Sequence, residues 1–127
     1  MTNKEKILNS QFRVGTYKNM RGWFGFKVWE NVTPRMAFGY MHMSPSDWVI
    51  KPNSIIRDKK LDRDTDKQCG RGISIGTSEW MWTNAFSDEN TYYLVFIPKR
   101  NIENIIVPNK FEGKIRTNKV YLVKKLH

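Results

Sequence analysis

From Gly22 onward the chain begins to alternate. In "GWFGFKVWENV", Trp23, Gly25, Lys27 and Trp29 fall on one side and Phe24, Phe26 and Val28 on the other. That period of two, rich in aromatic and β-branched residues, predicts a strand. "MAFGYMHM" predicts a second, closed by the turn-prone "SPSD". "DWVIKPNSII" reads as two short extended pieces broken at Pro52-Asn53. In "RDKKLDRDTDKQ" signs are mixed and only Leu61 is apolar, which predicts a solvated loop long enough to act as a flap or binding loop. "TSEWMWTNAF" predicts a short helix capped by Thr77 or Ser78, with Glu79 in the first turn and Trp82, Ala85 and Phe86 on one face. "SDEN" is a turn, and "TYYLVFIP" is apolar enough for a strand buried on both faces. "NIIVP" and "KVYLVKKL", separated by the turn-like "NKFEG", complete the strands. Before Gly22 the pattern is polar and basic, with a helical stretch at Lys4–Asn9, and predicts a loosely held arm. The expectation is a basic arm over 1–21 and a single α+β domain over 22–127, with five or six strands and one short helix.

Composition narrows the class. In 127 residues, 39% hydrophobic and 13% aromatic content supports one packed core. No apolar run approaches the roughly 20 residues of a membrane-spanning helix. "MTNKEKILNSQ" lacks an apolar signal core, so a cytoplasmic location is expected. One Cys with His42 and His127 offers no zinc spacing, and no metal is expected. The 22 Lys and Arg against 12 Asp and Glu give a net charge of +10. A field of that sign attracts phosphates and acidic partners.

Candidate chemistry lies in three places. "CGRGISIGTSEW" spaces its glycines as G-x-G-x-x-x-G and follows a charged loop instead of a strand, so it is not a dinucleotide fingerprint. Its best reading is a turn, a short strand holding Ser74, and a helix start. There Gly76, Thr77 and Ser78 offer amides to an anion steered by Arg71. Cys69 has no base nearby in sequence and reads as a buried structural cysteine. The second place is "YKNMRGWFGFKVW", where Tyr17, Trp23, Phe24, Phe26 and Trp29 are interleaved with Lys18, Arg21 and Lys27. Aromatics in a basic groove hold single-stranded nucleic acid. With Arg57, Lys59, Lys60, Arg71, Lys114, Arg116 and Lys119, these residues form the expected surface for nucleic acid or an acidic partner. Third, the cations near the C-terminus, from Lys110 to Lys125, either extend that surface or guard an edge strand.

Read together, "WVIKPNSII", "CGRGISIGTSEWMWTN", "YYLVFIPKRNIENIIVP" and "GKIRTNKVYLV" resemble a small domain of tailed phages that includes rIIB-like proteins. Its pattern runs C-x-x-G-[LI]-H-[VA]-x-[TS], then V-x-[VI]-x-P-x-D-[IV]-V-x-V-P, then K-[IL]-R. The resemblance covers residues 48–123 and implies a phage origin; Ser74 stands where that family has His. A second resemblance, of the 69–78 segment and the helix and strand after it, is to ADP-ribosyltransferase-like folds. It implies that Lys27 and Ser74 grip NAD with a later Glu. Lys27 stands where such folds carry Arg or His, and Glu103 and Glu112 fall in predicted turns. Three readings stay open. One is a non-catalytic basic module, without cofactor, that binds nucleic acid or a host nucleic-acid-processing or defence complex. The others are an NAD-using enzyme and a virion or assembly component.

Overall fold

A strand with no charge along its length belongs in the middle of a sheet, and "TYYLVFIP" takes that place as β5, Thr91–Pro98. The computed structural model describes residues 1–29, 50–85 and 90–126. The chain forms a small α+β domain built on one eight-stranded antiparallel sheet. The other strands are β1 (Arg13–Tyr17), β2 (Met20–Trp29), β3 (Ile55–Arg57), β4 (Ile73–Gly76), β6 (Ile105–Ile106), β7 (Lys114–Thr117) and β8 (Lys119–Lys125). Their order is β3-β8-β5-β2-β4-β7-β6, with β1 paired to the first half of β2. The central pair is β2 with β5, in register from Gly22 opposite Pro98 to Trp29 opposite Thr91.

Period-two alternation then sorts the side chains. Trp23 on β2, Ile73 and Ile75 on β4, Tyr93, Val95 and Ile97 on β5, and Val120 and Leu122 on β8 point to one face and form the core. That inner face is covered by α1, Asn3–Gln11, through Leu8 and by Phe12 just beyond it. Thr2 caps α1 by accepting the Glu5 N–H. Two polar ties fasten the helix: the Trp23 indole donates to Asn9 Oδ1 at 2.8 Å, and Lys4 Nζ donates to the Ile102 carbonyl at 3.1 Å.

Residues 1–21 are therefore an integral part of the fold, not a loosely held arm. The segment shows little amphipathic pattern because two buried residues, Leu8 and Phe12, suffice to dock it. The strand count also exceeds the expected five or six. β1 was hidden because its hairpin turns at Lys18-Asn19, both left-handed (φ 49 and 64), without the Asn-Gly or Asp-Gly pair that marks such turns. β7 was hidden because only Ile115 breaks its polar run. The helix after β4 starts as expected at Ser78, capped by Thr77 Oγ1, which accepts the Trp80 N–H at 3.0 Å. It continues from Met81 to Ala85 as a wider π-type turn. Trp82, expected on one face with Ala85 and Phe86, is 61% exposed. A 3₁₀ helix spans Lys99–Asn104. The expected strand "MAFGYMHM", the "SPSD" turn, residues 30–32, Phe86, most of "SDEN" and both histidines lie outside the described residues. Among the described residues, no helix is long and apolar enough to cross a membrane.

Candidate nucleic-acid interface

The same alternation sends Phe24, Phe96 and Tyr121 to the outer face, with Arg13, Gly15 and Tyr17 of β1 beside them. Their rings meet. Phe96 is the floor, with centroids 5.0 Å from Phe24, 5.5 Å from Tyr17 and 6.4 Å from Tyr121. Tyr17 and Tyr121 close the cluster at 5.9 Å. Phe96 and Tyr121 are buried, whereas Tyr17 and Phe24 are half-exposed. The Gly15–Gly22 pair gives the rings room to lie across the sheet. A Cβ at Gly15 would fall 2.7 Å from Phe24 Cε2, and one at Gly22 would fall 2.7 Å from Phe96 Cζ.

Cations rim these rings. Arg13 lies 5.8 Å from the Phe24 centroid, Lys18 Nζ 5.5 Å from Tyr17 and Lys119 Nζ 5.4 Å from Tyr121. Arg100 donates to the Tyr121 hydroxyl at 3.4 Å. Arg57 is exposed and opposite Lys119 in the β3–β8 register. None of the eight strands carries an Asp or Glu, whereas β1, β2, β3, β7 and β8 all carry Lys or Arg. The field over the rings is accordingly positive.

Several residues expected on this surface are elsewhere. Trp23 is in the core. Arg21 shares Trp23's side of β2, away from the rings. Lys59 and Lys60 are exposed in the loop after β3, and Arg71 donates to the buried Asp58 carboxylate at 2.9 Å. Arg116, only 2% exposed, is committed to its own chain. Its guanidinium donates to the backbone carbonyls of Asp62 at 2.7 Å, Asp64 at 2.6 Å and Lys67 at 3.1 Å. Loop 58–72 is thus a roof fastened over β7, not a free flap. Asp62 within it has its carboxyl held below the ordinary value, chiefly by the Asp64 backbone N–H and then by Lys67.

Lys27 is 5% exposed on the inner face, with its ammonium 5.8 Å from the Trp29 ring. Burial, aided by the Lys114 charge, lowers its pKa to about 8. Ser74 pairs with Arg116 across β4 and β7 and so points to the outer face. Lys27 and Ser74 therefore lie on opposite sides of the sheet and do not converge on one ligand. Within the expected anion cradle, one of the three amides, that of Thr77, is already committed. Thr77 N–H donates to the Gly113 carbonyl, the Trp80 and Met81 N–H groups bond back to Thr77, and the Trp80 ring covers Gly76. Cys69 is exposed rather than buried, and accepts from Lys114 Nζ at 3.1 Å; that ammonium also lies 5.7 Å from the Trp80 ring. Among the described residues, no group of three or more His, Cys, Asp or Glu side chains is placed to hold a metal.

Of the expected surface, the structure brings Lys18, Lys119 and Arg57 to the ring cluster. It adds Arg13, Arg100, Phe96 and Tyr121, which the sequence reading missed. The alternation of β5 and β8 carried the signal for the two rings, but only the β2–β5–β8 pairing shows that they share a face with Phe24. No protein-family model, curated protein or solved structure matches the chain.

Proposed function

We propose that this protein binds nucleic acid through the outer sheet face formed by β1, β2, β5 and β8. The observation that carries the reading is the contact cluster of Tyr17, Phe24, Phe96 and Tyr121 on strands free of carboxylates, rimmed by Arg13, Lys119, the turn residue Lys18 and Arg100 of the 3₁₀ helix. Cations at such a rim neutralise backbone phosphates and release their counterions. Rings between them offer flat apolar surface to bases. The proposal agrees with a phage protein that acts on nucleic acid or on the host machinery handling it. The alternative of an ADP-ribosyltransferase-like sheet around NAD has less support, since Lys27 and Ser74 face opposite ways.

Fluorescence anisotropy with labelled oligonucleotides tests the reading. Affinity should fall steeply as salt rises, with a log–log slope of about −2 to −4 for a rim of this size. An absence of binding at about 50 mM salt, where phosphate contacts are strongest, removes the nucleic-acid reading.

A further inference from the structure

We infer that the nucleic acid taken by this face is single-stranded, held by bases laid on Tyr17 and Phe24. The inference rests on the nucleic-acid reading above and adds its substrate class. In a duplex the faces of the bases are covered by their neighbours, and protein groups reach only base edges in the grooves. Edge reading calls for an element that projects. Among the described residues at the rings, β2 is paired to β5 from Gly22 to Trp29 and to β1 from Met20 to Phe24, and the turn that joins β1 to β2 is only the two residues Lys18 and Asn19. What the surface offers instead is ring area.

The rings are prepared for that use. Gly15 and Gly22 leave the space over which Phe24 and Phe96 lie. The Tyr17 hydroxyl donates to Asn53 Oδ1 at 3.1 Å, and the Tyr121 hydroxyl accepts from Arg100 at 3.4 Å. Rings fixed before the ligand arrives lose little rotamer freedom when a base stacks on them. Tyr17 and Phe24 are the two with exposed area, standing on the buried Phe96. Lys18 lies at the Tyr17 ring and Arg13 at the Phe24 ring, so each accessible ring has its own cation for the neighbouring phosphate.

The test uses the full chain and four probes: a single-stranded DNA, an RNA of the same sequence, the corresponding DNA duplex, and inorganic polyphosphate as a competitor with charge but no bases. Both single strands should bind at least about tenfold more tightly than the duplex and resist polyphosphate. Tyr17→Ala should weaken single-strand binding by roughly tenfold while leaving the salt slope unchanged, as loss of one stacked base requires. Tyr17→Phe, which keeps the ring and gives up only its bond to Asn53, should retain most of the affinity. Should Tyr17→Ala fail to fold, the single-strand to duplex ratio of the unaltered protein decides alone. Equal binding of duplex and single strand, or full displacement of the single strand by polyphosphate at matched charge, overturns the single-strand inference and leaves general nucleic-acid binding standing. Binding of none of the nucleic acids overturns both.

Discussion

Over β7 the outer sheet face is roofed by loop 58–72; over β1, β2, β5 and β8 it carries a ring cluster and cations. Both halves place basic residues on the same side of one sheet, three positions apart in the case of Arg116 and Lys119. Arg116 satisfies three backbone carbonyls of the roof and is hidden. Lys119 is half-buried, with its ammonium over the Tyr121 ring. A planar guanidinium with several donors suits the first task, since it can serve diverging carbonyls at once. An ammonium on a flexible stem suits the second. The contrast is between a cation whose donors the chain has spent on its own carbonyls and one left beside a ring.

Substitutions in the two halves should separate stability from binding. The largest expected effect is Arg116→Met, which strands the carbonyls of Asp62, Asp64 and Lys67. It should cost about 2–4 kcal/mol in denaturant unfolding and expose the loop to protease, with oligonucleotide affinity unchanged while the chain stays folded. Lys27→Met should act in the opposite direction. The lowered pKa of Lys27 means that the unfolded chain binds one more proton between about pH 8 and the ordinary 10.5, so stability rises with pH across that window. Methionine removes this penalty, and should stabilise the protein by up to about 3 kcal/mol at pH 7 and flatten the rise, as followed by thermal melts at several pH values. Next, Gly22→Ala would drive a Cβ into the Ile97 carbonyl oxygen and should cost ~1–3 kcal/mol, with loss of binding as the ring floor shifts. The smallest change in stability belongs to Lys119→Ala, within about 0.5 kcal/mol, yet it should reduce the salt slope of binding by about one. A loss of affinity in Arg116→Met, or none in Lys119→Ala, would break the division between the halves.

Much of this was legible in the sequence. The alternation in "GWFGFKVW" correctly grouped Trp23 with Lys27 and Phe24 with Phe26, and the capping threonine and central β5 stood out. What local pattern left open was which group faces inward. Trp23 and Trp29 carry Lys27 into the buried side with them, and its cost is visible only once Leu8 and Phe12 close over that face. Arg116 shows the same limit. Its carbonyl partners lie 49 to 54 residues earlier, in a loop whose composition alone reads as solvated. The ring cluster is likewise assembled from strands distant in sequence, so "KNM" and "KVYLV" show no connection until the strands pair.

That distance also bears on the order of events during synthesis. The β1–β2 hairpin is local and can close early, but the partner that completes β2 is β5, and Gly22 waits for Pro98. Until the ribosome has delivered β5, the aromatic residues of β2 have neither their floor nor their core. Slow, non-local closure of this kind exposes sticky intermediates. The positive charges beside those rings repel other copies of the nascent hairpin during the wait, giving them a protective role before any ligand is met.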